Sequence, residues 1–262
     1  MVIKGVEDME AVYILYGALG DQVCVSGCLN QFYKQFKKKL YVISDKPSLF
    51  VKQEYCKEII DLNTLSGGGE YDQSFIFKKF KKIHTLYWQT ESHLKGTNTI
   101  VENYCDQLKV KRVKYPYFKI DKKDFKFNNK PYILVSLKNP ESEIPFINTR
   151  NKYFTDKTNN EILNNLKKDL KDYDIFDLGH IKIKSFYELL VIVANCSAFV
   201  SVDTALQHIA ANEFCQKKGV VLWNNKCNIK LYGYDININL FNEFIQPFSD
   251  YNIILKNLKT LL

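Results

Sequence analysis

The chain has 262 residues, of which 46% are hydrophobic and 25% charged, and its net charge is +8. That length buries a core without disulfides or metals, and no stretch approaches the ~18 consecutive apolar residues of a membrane span, so small stapled scaffolds and helical membrane proteins are excluded. The charge is lopsided: residues 1–130 hold 22 Lys and Arg against 15 Asp and Glu, whereas residues 131–262 hold 15 against 14.

The opening stretch, MVIKGVEDME, has three acidic residues and no apolar run, and does not read as a secretory signal. AVYILYG (11–17) is a strand candidate, ALGD (18–21) a short loop, and QVCVSGCLNQFYKQFKKK carries apolar residues at helical spacing before a second strand candidate, LYVIS (40–44). That order predicts a βαβ unit. EIID (58–61) and QSFIF (73–77) are further strand candidates, and TNTIVENYCDQLKV (97–110) reads as a helix. The runs KQFKKK (34–39), KKFKK (78–82) and KVKRVK (109–114) supply the basic excess. They read either as solvated helix faces or as a surface that meets an anionic partner.

KIDKKDFKFNNKP (119–131) is polar, rich in lysine and closed by Pro, which predicts a linker. Alternation then resumes with strand YILVSL (132–137), helix 156–170, strand DIFDLG (174–179), helix 185–196, strand AFVSV (198–202), helix 204–214 and strand GVVLW (219–223). Such alternation predicts parallel sheets covered by helices on both faces. The expected organisation is two α/β domains, 1–125 and 126–262, with a cleft between them. The closing DYNIILKNLKTLL is an amphipathic helix able to cap either one.

The seven cysteines are odd in number and form no C-x-x-C pair, so reduced thiols in a cytosolic chain are expected. The one D-x-D, Asp172 to Asp174, precedes a strand at the amino edge of the sheet and reads as a turn, not a metal site.

Open parallel sheets bind ligands at the carboxyl ends of their strands. Two segments fall there. In SVDTALQHIAA (201–211), Asp203 is placed to cap a helix whose first turn, Thr204, Ala205 and Leu206, presents backbone N–H groups suited to a phosphate, with His208 on the same face one turn along. An ordinary helix cap followed by a half-buried histidine fits the same spacing. In GALGD (17–21), Gly17 and Gly20 permit a tight turn that exposes Asp21, and the spacing is not that of a dinucleotide fingerprint.

Together, GALGDQVCVSGCLNQF and SAFVSVDTALQHIAA…GVVLW resemble the G-D motif and the D-T-G-L-x-H-[IL]-A-A segment of the bacterial heptosyltransferase family, glycosyltransferase family 9. NKYFTDKTNNEIL (151–163) resembles the family's K-x-W-P-x-E stretch. The departures are Ala205 for Gly, Ser26-Gly27 for Thr-Pro and Phe154-Thr155 for Trp-Pro. The resemblance implies a GT-B fold, two Rossmann-like domains whose sheets face across a cleft, the first binding acceptor and the second the nucleotide sugar. It implies an inverting, metal-independent transfer, without a cofactor, from ADP-heptose to a lipopolysaccharide or lipooligosaccharide core or a related anionic glycan. Asp21 would be the base, and Lys152, Asp203, Thr204, Ala205, Leu206 and His208 the donor site. His180 is the nearest candidate for the ribose-holding position. A cytoplasmic enzyme, peripheral at the inner membrane, follows. A GT-B protein that binds nucleotide or glycan without catalysis is the first alternative; a nucleic-acid binder is the second, with no recognised motif behind the lysine runs.

Overall fold

The computed structural model describes residues 9–15, 17–65, 79–120, 127–138, 154–224, 226–241 and 247–262. They belong to two units, Met1–Phe118 and Lys119–Leu262. The first holds β1 (Glu10–Leu15), α1 (Leu19–Phe36), β2 (Leu40–Ser44), β3 (Cys56–Asp61), α2 (Leu62–Leu65), β4 (Lys82–Tyr87), α3 (Glu91–Leu94) and α4 (Ile100–Leu108). Its sheet is parallel throughout, in the order β3-β2-β1-β4. The second unit holds β5 (Tyr132–Ser136), α5 (Asp156–Asp169), β6 (Asp174–Asp177), α6 (Phe186–Asn195), β7 (Ala198–Val202), α7 (Ala205–Ala210), β8 (Gly219–Trp223), α8 (Lys226–Tyr232), β9 (Ile238–Phe241) and α9 (Tyr251–Lys259). Its sheet is also parallel, in the order β6-β5-β7-β8-β9. Among the described residues no helix is long and apolar enough to cross a membrane.

The interior strands are the continuous apolar runs of the sequence. Every residue of β2, β7 and β8 is buried, as expected for strands paired on both sides and covered on both faces. The helices start where their capping residues stand. Thr99 and Glu102 form a reciprocal capping box at α4, with Thr99 N donating to Glu102 Oε2 at 2.9 Å, and the side chains of Thr155 and Ser185 cap α5 and α6. Both α1 and α4 end on a lysine in the left-handed region, Lys37 and Lys109.

The structure corrects several expectations. The strand paired with β1 is KIHTLY, hidden from periodicity by His84, whose imidazole lies 3.1 Å from the Glu10 carboxylate; QSFIF lies outside the described residues. The short α8 and β9 were not expected from their Asn-rich sequence. The closing helix belongs to the second unit, where Ile254 and Leu258 join the core formed by β5, β7, β8 and α5. Of the expected linker, 121–126 lie outside the described residues, while Phe127 packs edge-on against Tyr132 and Phe176, and Asn128 donates to Asp174 at 2.6 Å. Those contacts make residues 127–131 part of the second unit.

Helix α1 is buried along most of its length, and its polar residues are spent on packing. Ser26 Oγ donates to the Val23 carbonyl at 2.6 Å and accepts from Tyr117 N at 2.9 Å. At Gly27 the approach is tighter still: a Cβ there would meet the Tyr115 carbonyl oxygen at 2.5 Å. Gly27→Ala is expected to lower stability by about 1 to 3 kcal/mol in urea denaturation, because this backbone clash outweighs the helix preference for Ala over Gly.

Candidate active site

Each sheet has one place where successive connections leave in opposite directions. In the first unit the chain passes from β1 to β2 on one side, and β4 pairs on the other. In the second it passes from β5 to β6 and then crosses to β7 on the far side of β5. The crevices between the carboxyl ends of β1 and β4, and of β5 and β7, are therefore the topological switch points at which such sheets hold ligands.

The G-A-L-G-D turn follows β1 at the first of these. Asp21 does not stand in front of the helix, as the sequence led us to expect, but inside its first turn. Its Oδ2 accepts from Ala18 N at 2.8 Å and caps its own helix. Gly20 is likewise helical and buried, whereas Gly17 makes room: a Cβ there would come within 3.1 Å of the Asp21 Cβ. Beside it, Gln22 is fully buried and fastens α1 to the end of β2, accepting from Ser44 Oγ at 2.6 Å and donating to Asp45. Burial alone would raise the Asp45 carboxyl, but hydrogen bonds from Gln22 and Lys46 outweigh it and hold its pKa below the usual aspartate value. This tie therefore stabilises the fold above the ordinary aspartate range and is lost as acid titrates through the lowered value.

At the second switch point, Thr204 and not Asp203 is the N-cap of α7; its backbone is extended, and its side chain makes no cap hydrogen bond. Asp203 instead accepts from Gln207 Nε2 at 2.7 Å. The helix is six residues long rather than the expected eleven, so its field is weak, and the local N–H groups of Ala205 and Leu206 carry what positive potential the turn has. Thr204 Oγ1 lies 3.4 Å from Ser136 Oγ at the end of β5, and Ser136 pairs in register with Ser201. Ser201 Oγ and Gln207 Oε1 are buried with no hydrogen-bond partner among the described residues. Ser136 was missed because a serine closing a predicted strand is unremarkable until the strand order sets it beside β7.

His208 is 4% exposed, and its Nδ1 lies 2.9 Å from the Tyr234 hydroxyl, so it faces the interior of the unit. His180 sits in a 3-10 turn after the edge strand β6, 3.1 Å from Asp177, and lines a cavity of about 300 Å³ with Asn164, Lys167 and Asp177. Lys152 lies outside the described residues. Among the described residues no group of three or more His, Cys, Asp or Glu side chains is placed to hold a metal ion.

Two units of this kind, each a parallel sheet flanked by helices, define an α/β fold of the GT-B class. The solved structures it matches include heptosyltransferases. ADP-heptose LPS heptosyltransferase II of E. coli matches with a TM-score of 0.68 at 11% identity over 97% of this chain and 98% of its own. A glycosyl transferase family 9 protein of Veillonella parvula matches with 0.66 at 12% identity, over 98% of each chain. The dodecameric, iron-containing heptosyltransferase TibC of enterotoxigenic E. coli, solved with ADP-D-β-D-heptose, matches with 0.66 at 11% identity over 97% of this chain and 77% of its own. At such identities the likeness is one of fold. No protein-family model matches the chain, and no curated protein matches it in sequence.

The interior position of His208 makes Tyr234 a support for the turn. Tyr234→Phe removes the hydroxyl from a buried imidazole and is expected to lower stability by about 1 to 3 kcal/mol, read as a lower denaturation midpoint.

Proposed function

We propose that the chain is an inverting glycosyltransferase that moves a sugar, heptose from ADP-heptose, onto a hydroxyl of a lipopolysaccharide or lipooligosaccharide core. The observation that carries this reading is that the G-A-L-G-D and V-D-T turns both stand at the carboxyl edge of an interior strand, beside the switch point of their unit. The heptosyltransferase likeness in fold, and a structural neighbour solved with ADP-D-β-D-heptose, support this choice of donor.

In this reaction the acceptor oxygen attacks the anomeric carbon as the bond to the diphosphate breaks on the opposite face. Asp21 takes the acceptor proton, and its backbone hydrogen bond holds the carboxylate in one orientation. The charge that develops on the departing ADP is met by the Thr204 and Ser136 hydroxyls, the N–H groups of Ala205 and Leu206, and Lys152. Asp203 holds sugar hydroxyls, His180 lies towards the nucleoside, and His208 acts through Tyr234 on the placement of the turn. Donors of this kind do for a diphosphate what a divalent cation does elsewhere, so the reaction is metal-independent. The basic excess of residues 1–130 draws an anionic acceptor to the first unit, at the cytoplasmic face of the inner membrane.

Asp21→Asn keeps an acceptor for Ala18 N–H, so it should fold normally yet transfer sugar at least about a hundredfold more slowly. Protein that binds ADP but whose wild type and Asp21→Asn forms are equally inert would be a binding module instead. ADP at a hundred times its dissociation constant should add ~2.7 kcal/mol of stability in a thermal-shift panel, ahead of UDP, GDP and CDP. Thr204→Val together with Ser136→Ala should weaken that response at least about a hundredfold in ADP concentration, since two hydrogen bonds to a charged group are lost. Turnover should survive EDTA.

A further inference from the structure

We infer that Trp88 is the stacking platform for the sugar ring of the acceptor, an assignment that rests on Asp21 being the base. Leu15, the last residue of β1, pairs in register with Tyr87, the last residue of β4. The chain beyond Leu15 leads through Gly17 into α1, so the segment after Tyr87 and the turn bearing Asp21 flank the same switch point. Trp88 is the first residue past β4, at the same carboxyl edge. Helix α1 lies over β4, where Phe32 meets the His84 ring edge-on with centroids 5.9 Å apart. Helix α1 begins at this edge with Asp21 in its first turn. Trp88 and Asp21 thus belong to one end of the unit.

The segment is pinned by α4. Asn103 Nδ2 donates to the carbonyl oxygens of Tyr87 at 3.2 Å and Trp88 at 3.1 Å, and Gln107 accepts from Tyr87 N and donates to its carbonyl, both at 2.8 Å. Thr90 Oγ1 donates to Asn103 Oδ1 at 2.5 Å. On this fixed backbone Tyr87 is 52% and Trp88 38% exposed. A rigid aromatic of this kind loses little conformational freedom on binding. The contrast with Trp223 is direct: that indole is 1% exposed and its Nε1 donates to Asn239 at 2.8 Å, while the Trp88 Nε1 has no hydrogen-bond partner among the described residues. Trp88 therefore offers a ring face and a donor together.

A sugar presents C–H groups on its ring faces and hydroxyls around its rim, which suits that combination. A bilayer suits it less. Gln89, Thr90, Glu91 and Ser92 follow the indole directly, and the cation of the segment, Lys95, is neutralised by Glu91 at 2.5 Å, leaving no net positive charge for anionic lipid.

The test titrates the intact protein with deacylated lipooligosaccharide core oligosaccharide and, separately, with phosphatidylglycerol vesicles, following tryptophan emission. The oligosaccharide should change the emission saturably in wild type and not in Trp88→Phe, whereas vesicles should leave it unchanged. In transfer assays Trp88→Ala should raise the acceptor KM about tenfold with kcat little altered, and Trp88→Phe should recover most of the loss. A response to vesicles in place of oligosaccharide overturns the platform in favour of membrane docking. Wild type that transfers sugar with no tryptophan response overturns it and leaves the proposed reaction standing; a Trp88-dependent response to oligosaccharide without any transfer upholds the platform and removes that reaction.

Discussion

A strand paired on both edges and covered on both faces meets solvent only at its two ends, and this single restriction decides where the chain can do chemistry. Strands β2, β7 and β8 are buried from end to end, so nothing along their length is open to a ligand. The two ends are also treated differently. At the amino edges polar groups are spent on one another: Glu10 lies 3.0 Å from Lys38 and 3.1 Å from His84, and Asp174 is held by Asn128 and Lys130. The carboxyl edges gather the Gly17 to Asp21 turn, Ser136, and the Asp203-Thr204 turn, together with buried oxygens on Ser201 and Gln207 that no described residue satisfies.

Much of this was legible before the structure because the physics concerned is local. A fully buried parallel strand must be apolar on both faces, and YILVS, AFVSV and GVVLW announce themselves for that reason. The helices expected from 156 and 185 begin within a residue of those positions, behind the caps Thr155 and Ser185, whereas the one expected from 97 begins at Ile100 behind Thr99. β4 escaped because its apolar positions are interrupted by Lys82, His84 and Thr85, and the place of His84 depends on Glu10, far away in sequence. Register and strand order are also non-local. Ser136 gains its interest only from β7, and Trp88 only from its place beside β1. The one-residue exchange of roles between Asp203 and Thr204 has a simpler source: both residue types cap helices, and the choice falls to whichever carries the extended backbone.

Asp21 illustrates how one bond can serve the fold and, in the proposed reaction, hold the base. The hydrogen bond from Ala18 N stabilises the start of α1, and it also removes the rotational freedom a surface carboxylate would otherwise have. Gln22, next in the chain, ties that turn to the end of β2 through Ser44 and Asp45, so the orientation is set by two elements of the sheet and not by the loop alone.

The cysteines carry a consequence of another kind. Cys24, Cys28, Cys105, Cys196 and Cys215 are buried and unbridged, and burial pushes the thiol of Cys196 up to about 12 and that of Cys105 to about 11. The thiolate is the species that oxidants and alkylating agents attack, so these sulfurs are inert as long as the molecule stays folded. Once it opens, they become reactive together, and random cross-linking competes with refolding. The rate at which such thiols become accessible is thus an internal clock for how often each unit comes apart.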